Sequence, residues 1–248
     1  MKKEISVIIS TYNSPEWLQK VLWGYNTQNY RNFELILADD GSKQPTFDLI
    51  EQMKKEVFYP IVHVWHEDNG FQKSQILNKA IEACSTDYIL MSDGDCIPRP
   101  DFVEQHIKYR EENHFLSGGY HKLPMNLSKM ITKEDIYSNK CFDLFWLKKN
   151  GMKTSFKNLK VYAKGWFSDI LNFLTPTTPS WNGHNSSGWK KDIVAINGFD
   201  ERMQYGGVPQ NLSAKPTLSV ITQSDVPVTA QVTLTYMASG FDWQANYV

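Results

Sequence analysis

The stretch YILMSDGD, residues 88–95, joins an apolar run to two carboxylates that stand one residue apart. The run from Tyr88 to Met91 has the composition of a buried strand. Asp93 and Asp95 follow it directly, although an ionised carboxylate at the end of a buried strand is costly unless it is paired or binds a cation. The stretch therefore predicts a strand that ends in a polar site.

Three more apolar runs precede this strand, and helical patterns separate them. Such an alternation of strand and helix predicts βαβ units. We therefore expect an α/β protein with a doubly wound, Rossmann-like and mostly parallel sheet that has helices on both faces. Ser14 and Pro15 are predicted to begin the first helix, as its N-cap and its first residue. The predicted strands are 5–10, 33–38, 61–65 and 88–91, and the helices that follow the second and third are 46–57 and 74–81.

A cluster of polar residues follows each of the four predicted strands. Because ligands of such sheets bind beyond the carboxyl ends of the strands, we expect the clusters to form one shared site. Asp93 and Asp95 are suited to Mg²⁺ or Mn²⁺, which in turn bridges phosphate oxygens. Gly94 between them lets a ligand approach the backbone closely. The four clusters are 11–13, 39–42, 66–70 and 92–95.

The composition of the 248 residues is that of an ordinary globular protein, with a formal net charge of −1 at pH 7. This charge argues against a nucleic-acid partner, which normally goes with a basic excess. Three cysteines without a CxxC spacing predict reduced thiols and no cysteine-based zinc site. The first apolar run is too short for an export signal, and no stretch approaches the ~20 apolar residues of a membrane span. We therefore predict a cytoplasmic protein, with peripheral contact at the inner face of the cell membrane left open.

Residues 139–167 are rich in lysine and in aromatic residues, and Asp143 is their only acid. Two interpretations are open. One is peripheral contact with an anionic membrane surface. The other is a solvated lysine face whose aromatic side chains turn towards the core.

The last part of the chain changes character. Residues 208–248 contain only three charged residues, and from 226 to 236 apolar residues alternate with polar residues or proline, as in a strand. We predict one α/β domain over 1–207. The segment 208–248 is predicted to be an atypical β-patterned tail of foreign or frameshifted origin.

Five motifs, in this order and spacing, resemble those of glycosyltransferase family 2, whose members have the GT-A fold. The resemblance covers about residues 4–207 and points to bacterial polysaccharide-synthesising members with a galactosyltransferase-like C-terminal motif. It implies a metal-dependent, inverting transfer of a sugar from a nucleotide sugar, most simply a UDP-sugar, to a hydroxyl of a glycan or lipid-linked acceptor. The implied cofactor is Mn²⁺ or Mg²⁺. The resemblance also implies a nucleotide-binding half (1–113) and an acceptor-side half (114–207). The motifs are SVIISTYNSPEWL (6–18), LILADDGS (35–42), DNGFQKSQILNKAI (68–81), YILMSDGDCIPRPDF (88–102) and NSSGWKKDIVAINGFDERM (185–203).

The resemblance implies roles for residues of the first three clusters. Thr11 and Tyr12 match the loop that lies against the nucleotide base. Asp40 matches the carboxylate that binds the uracil ring, since a carboxylate that accepts an N–H from a base edge makes a strong, orienting bond. Asn69 and Lys73 match the segment near the base and the diphosphate.

The remaining matches fall at the metal and the donor sugar. Asp93 matches the carboxylate near the ribose and the metal, and Asp95 matches the direct metal ligand. Asn185 stands where the family places residues that line the donor sugar. For Trp189, stacking on a sugar ring and packing in the core are both open.

The family pattern breaks after Gly207. There the family has a Glu-Asp pair whose aspartate acts as the general base, whereas this sequence continues with VPQ and has no carboxylate until Asp225. The remaining candidates for a base are Asp200 and Glu201. Three explanations are open: a truncated domain joined to foreign sequence, a catalytically impaired or non-catalytic sugar-nucleotide-binding protein, or a base in a new position.

Overall fold

The computed structural model describes residues 3–153 and 180–202 of the chain. Its strands are β1 (Ile5–Thr11), β2 (Phe33–Asp39), β3 (Ile61–Trp65), β4 (Tyr88–Asp93), β5 (Leu116–Ser117) and β6 (Ser186–Trp189). Its helices are α1 (Pro15–Asn26), α2 (Gln44–Glu56), α3 (Lys73–Ala83), α4 (Phe102–Lys108), α5 (Met125–Met130), α6 (Lys133–Tyr137), α7 (Leu144–Lys149) and α8 (Lys190–Ala195). The six strands form one sheet in the order β3-β2-β1-β4-β6-β5.

Strands β1 to β4 run parallel, and their register brings polar residues to one edge of the sheet. β1 lies between β2 and β4, with Thr11 opposite Asp39 and Ser10 opposite Asp93. β3 pairs with the outer side of β2. Because the four strands point the same way, the loops that follow them share the carboxyl edge.

Helices cover both faces of the sheet. α1, α2 and α4 pack on one face with Val7 and Leu35, whereas α3 and α8 pack on the other with Ile8 and Ile36. Successive residues of a strand point to opposite faces, so a continuous apolar run serves both sides. Full burial of each such side chain contributes roughly 1.5–3 kcal/mol. The predicted doubly wound, mostly parallel α/β arrangement is confirmed.

The polar clusters begin inside the strands rather than after them. β1, β2 and β4 continue to Thr11, Asp39 and Asp93, because backbone pairing does not stop where the apolar residues do. Pro15 is the first residue of α1, as predicted. Ser14 is the N-cap residue, also as predicted, but its hydroxyl donates to the carbonyl of Tyr12 at 2.9 Å and caps no helical N–H.

Two antiparallel strands complete the sheet, and the apolar pattern did not indicate them. β6 pairs with β4, and β5 pairs with β6. β6 runs against β4, so that Ser186 lies opposite Met91. The loop 182–185, which precedes β6, therefore reaches the carboxyl end of β4.

Two predictions fall wholly or partly outside the described residues. They are the β-patterned tail 208–248 and the part of the lysine-rich segment from 154 to 167. In the described part of that segment, Phe142 and Trp146 pack against the core, whereas Phe145 is 77% exposed. Within 3–153 and 180–202, no helix is long and apolar enough to span a bilayer.

Candidate active site

A cavity of about 380 Å³ opens at the carboxyl ends of β1 and β2. Four of the predicted site residues line it: Thr11, Tyr12, Asp40 and Lys73. Gly70, from the predicted cluster 66–70, also lines it, together with three residues that no polar cluster included: Ser10, Phe71 and Ile76. We name its two sides the Asp40 end and the Asp93 end, because Asp93 bonds to Ser10 and Lys73 in the cavity wall.

At the Asp40 end, both oxygens of a buried carboxylate accept hydrogen bonds. Asp40 Oδ1 lies 2.7 Å from His66 Nε2, and Oδ2 accepts the backbone N–H of Gln72 at 3.0 Å. Two fixed partners hold the orientation of the carboxylate. Since a carboxylate has about four lone-pair sites, acceptor capacity remains for a ligand.

The turn after β2 carries Asp40 into the cavity wall. The neighbouring Asp39 accepts the backbone N–H of Ser42 at 2.9 Å and lies 2.8 Å from His63 Nε2. Gly41 has a φ of 91°, and a Cβ there would lie 2.6 Å from the Cα of Asp68. Only glycine fits this left-handed backbone and this close contact.

Aromatic rings stand at the entrance of the cavity. The Tyr12 hydroxyl donates to Asp68 Oδ2 at 2.9 Å, which links the loops after β1 and β3 and lowers the pKa of Asp68. Tyr12 and Phe71 are both exposed, so each offers a flat face to a ligand ring. Asn69 is exposed beside Gly70, and its predicted role near the diphosphate stays a prediction.

Thr11 lines the cavity, and its side-chain hydroxyl is buried. Among the described residues, its Oγ1 has no hydrogen-bond partner. Buried polar groups are nearly always paired, and leaving one unpaired costs about 1–3 kcal/mol. The oxygen of this hydroxyl is itself closed to solvent, so it lies behind the surface of the cavity.

At the Asp93 end, a carboxylate is paired with a cation. Asp93 Oδ1 lies 2.7 Å from Lys73 Nζ and accepts the Ser10 hydroxyl at 2.8 Å. Burial opposes the ionisation of Asp93, but the Lys73 charge and these hydrogen bonds outweigh it, with a further contribution from His184. The pKa of Asp93 is therefore lowered.

Asp93, Asp95 and Cys96 bring potential metal-ligand atoms within 4.8 Å of one another. Carboxylate oxygens suit Mg²⁺ and Mn²⁺, whereas a thiol is a softer ligand. Burial, with the charges of Asp95 and Asp93, raises the pKa of Cys96 to about 12, so the thiol stays protonated at neutral pH. The two carboxylates therefore fit the predicted cation, which prefers their oxygen atoms to the Cys96 thiol.

Packing requires a glycine at position 94, and the sequence did not reveal this requirement. Its N–H donates to the Ser10 carbonyl at 2.9 Å, and a Cβ at this position would lie 2.8 Å from the same oxygen. A larger residue would push the end of β4 away from β1. The close approach at Gly94 is thus between the end of β4 and β1.

Both ends of the Asn185 side-chain amide have hydrogen-bond partners in the protein. Its Nδ2 donates to the Gly119 carbonyl at 2.9 Å, so its Oδ1 faces His106 Nε2 at 3.0 Å. Burial lowers the pKa of His106 to about 4, against the opposing effect of the Asn185 bond, and the ring is neutral at pH 7. Asn185 therefore anchors the loop 182–185, and its predicted contact with the donor sugar stays a prediction.

This anchored loop passes beside the Asp93 end. A Cβ on Gly183 would lie 3.6 Å from Lys73 Nζ and 3.8 Å from Asp93 Oδ1. The next residue, His184, contributes to the lowered pKa of Asp93. No pattern in the sequence indicated either residue as part of the site.

For Trp189 the structure corrects the sugar-stacking hypothesis. Trp189 pairs with Tyr88 at the start of β4, five residues from Asp93 and hence roughly 16 Å along the strand. Its ring lies 5.1 Å from that of Tyr88, and its Nε1–H donates to the Glu111 carbonyl at 2.7 Å. The ring is a packing element at the far end of the sheet.

The two candidates for a general base have partners of their own. Asp200 forms an ion pair with Arg202 at 2.7 Å, and Glu201 accepts the Asn78 amide at 3.0 Å. Neither is among the residues that line the cavity. Their catalytic role stays a prediction.

The sheet order and the polar site at its carboxyl edge define an α/β protein of the GT-A type. The model of the family described as Glycosyl transferase family 2 matches residues 6–173. The chain therefore belongs to glycosyl transferase family 2, and the resemblance of its motifs is confirmed.

Relatives among characterised sequences are longer proteins. The chain is 32% identical over 104 residues to the hyaluronan synthase of Pasteurella multocida, which is 42% of this chain and 10% of that protein. It is 28% identical over 170 residues to a dolichyl N-acetyl-alpha-D-glucosaminyl phosphate 3-beta-D-2,3-diacetamido-2,3-dideoxy-beta-D-glucuronosyltransferase of Methanococcus voltae, or 64% of this chain and 51% of that one. The chain thus spans about half or less of these relatives.

A solved structure supports the fold. The mannosyltransferase PcManGT from Pyrobaculum calidifontis, in complex with GDP-Man and Mn²⁺, aligns with a TM-score of 0.50 and 15% identity. The alignment covers 81% of this chain and 48% of that one.

Proposed function

We propose that this chain binds a UDP-sugar and transfers the sugar, with inversion, to a hydroxyl of a glycan or lipid-linked acceptor in cell-surface polysaccharide synthesis. One observation carries the proposal: the cavity has an acceptor carboxylate, Asp40, at one end and Lys73 with two carboxylates at the other. These groups match the base and the metal-bound diphosphate of such a donor. The exposed Tyr12 ring, which lines the cavity, supports a ligand between them.

In the proposed reaction, the acceptor oxygen attacks the anomeric carbon of the sugar. The bond from that carbon to the diphosphate oxygen breaks, and its electron pair leaves with UDP. A divalent cation, Mn²⁺ or Mg²⁺, held by Asp93 and Asp95 would neutralise charge on the departing diphosphate. Lys73 is placed to add a positive charge beside the phosphates. The acceptor proton must pass to a general base.

Donor binding without transfer is the second candidate function. It is favoured by the partners of Asp200 and Glu201, which tie both carboxylates into the surface near α3 rather than into the cavity wall. In this alternative the chain holds a nucleotide sugar and releases it unchanged.

The acceptor and the membrane contact belong to the same proposal. We assign donor binding to 1–113 and acceptor binding to 114–207. The exposed Phe145, beside the exposed Lys148 and Lys149 of α7, supports peripheral contact with an anionic membrane surface. Flotation with phosphatidylserine vesicles tests this contact, which loss of binding in Phe145→Ser would support.

Calorimetric titration and a product assay separate the two candidate functions. UDP should bind more tightly with Mn²⁺ than with EDTA, and UDP-glucose or UDP-N-acetylglucosamine should release UDP in the presence of acceptor glycans. Binding without UDP release would exclude transfer and leave the binding function. Absence of UDP binding with Mn²⁺ would exclude both.

A further inference from the structure

We propose that His66 and Lys79 are positioning residues that hold Asp40 as a hydrogen-bond acceptor and thereby select a base with a ring N–H, uracil, over cytosine. The proposal rests on the proposed function, because it concerns the base of the same donor. The motif already implied that Asp40 binds the base. No motif implied a role for His66 or Lys79.

The tautomer of His66 follows from its two neighbours. Lys79 Nζ lies 3.3 Å from His66 Nδ1, and an ammonium group can only donate. His66 Nδ1 must therefore accept, so that the ring proton sits on Nε2. That N–H donates to Asp40 Oδ1 at 2.7 Å. The order of donation is thus Lys79 to His66 to Asp40.

Burial makes this arrangement rigid. The side chains of His66 and Asp40 are each only 9% exposed. The second oxygen of Asp40 is held by the backbone N–H of Gln72, on the other side of the loop. Both carboxylate oxygens of Asp40 already accept a hydrogen bond, and their remaining lone pairs can only accept further ones.

An acceptor at this position distinguishes the two pyrimidines. Uracil carries a hydrogen on N3, whereas cytosine has a lone pair there. A fixed carboxylate therefore gains a charge-assisted hydrogen bond from uracil and faces a second acceptor in cytosine. Because the discrimination needs a carboxylate that cannot rotate away, it depends on His66.

A matched control stands three residues earlier, on β3. His63 Nε2 lies 2.8 Å from Asp39 Oδ2, and the His63 side chain is 7% exposed. Asp39 does not line the cavity. His63→Leu therefore removes the same kind of buried pair without touching the group that would meet the base.

The experiment measures the affinities of UDP and CDP by calorimetry with Mn²⁺ present. The wild-type chain should bind UDP at least about tenfold more tightly than CDP, the effect of one charge-assisted hydrogen bond. His66→Leu should lower this preference about tenfold, chiefly by weakening UDP. His66→Gln keeps an N–H donor and should retain the preference within about threefold. His63→Leu should leave the ratio unchanged.

A second variant keeps the test decisive if His66→Leu does not fold. Lys79 is exposed on α3, so Lys79→Met should fold, free the tautomer of His66, and lower the UDP preference about threefold. An unchanged ratio in Lys79→Met and His66→Leu, or an equal loss in His63→Leu, would overturn the inference alone. If the wild-type chain binds neither nucleotide, the proposed function falls first and the inference with it.

Discussion

Asp40 and Asp93 are two largely buried carboxylates at the same edge of one sheet, and their hydrogen-bond partners differ. Asp40 is held by an imidazole and a backbone N–H. Asp93 is held by the ammonium group of Lys73 and by the Ser10 hydroxyl. The first arrangement keeps a negative acceptor without a cation beside it. The second places a positive and a negative charge side by side.

The difference indicates what each end can bind. An acceptor fixed by donors suits a neutral ring N–H, because no protein cation competes for it. A paired lysine and carboxylate suit a ligand that brings both anionic oxygens and a cation. The lysine can then bind the anionic oxygens, and the carboxylate can bind the cation. The predictions below test this contrast, beginning with the largest expected effect.

The Asp93 end should depend on Asp95. Asp95→Asn is expected to lower the Mn²⁺-dependent gain in UDP affinity by about 100-fold, because it removes a charged oxygen ligand. The fold should be retained, since Asp95 is exposed. Titration of UDP with and without Mn²⁺ measures the gain, and Asp48→Asn, at an exposed carboxylate on α2, is the control. Equal Mn²⁺ dependence in both variants would refute the metal assignment.

Lys73→Met should separate the two ends. UDP affinity is expected to fall about tenfold, because the diphosphate loses a charge partner, while uridine affinity stays the same. Calorimetry with uridine and with UDP gives the two values. Lys54→Met, which breaks an exposed ion pair with Glu51 on α2, should change neither. A parallel loss of uridine binding would show that Lys73 acts at the base instead.

The pH dependence of stability should report the Lys73–Asp93 pair. The pKa of Asp93 is lowered from 3.8 in the folded chain, so its contribution is fully present above pH 3.8 and is lost as the pH falls through the folded-state value. Wild type should exceed Lys73→Met by about 1 kcal/mol in the free energy of unfolding at pH 6. Urea unfolding should show this gap closing below pH 4. A gap that persists at lower pH would mean that another group is responsible.

The smallest effect concerns Trp189, which belongs to neither end. Trp189→Phe should leave UDP and UDP-sugar affinities within about twofold and lower the free energy of unfolding by about 1 kcal/mol, the worth of its hydrogen bond to Glu111. Chemical unfolding and calorimetry test both parts. A selective loss of UDP-sugar over UDP binding would restore the stacking hypothesis.

The sequence predicted the parallel part of the sheet because each of its four strands is a short run of mostly apolar residues. It also placed Thr11, Tyr12, Asp40 and Lys73 at the cavity, since residues that follow parallel strands share an edge. β6 escaped prediction because SSGW has too few apolar residues to show a pattern.

The missed partners of the site depend on distances across the fold. Ser10 meets Asp93 only through the register of β1 and β4. His66 meets Asp40 because the turn at Gly41 packs against the loop after β3. In the sequence, nothing distinguishes His106 from other residues of a short helix. It meets Asn185 only because β6 brings that residue close to it. Such pairings join residues far apart in sequence, so no local pattern reveals them.

The position of β6 has a consequence for synthesis of the chain on the ribosome. β4 gains its second neighbour only when Ser186–Trp189 emerge, roughly ninety residues after β4 itself. At about 5–20 residues per second, the edge of β4 stays unpaired for about 5–20 s. An open strand edge can pair with the edge of another chain. During this interval the nascent domain is therefore open to pairing through β4 with another chain.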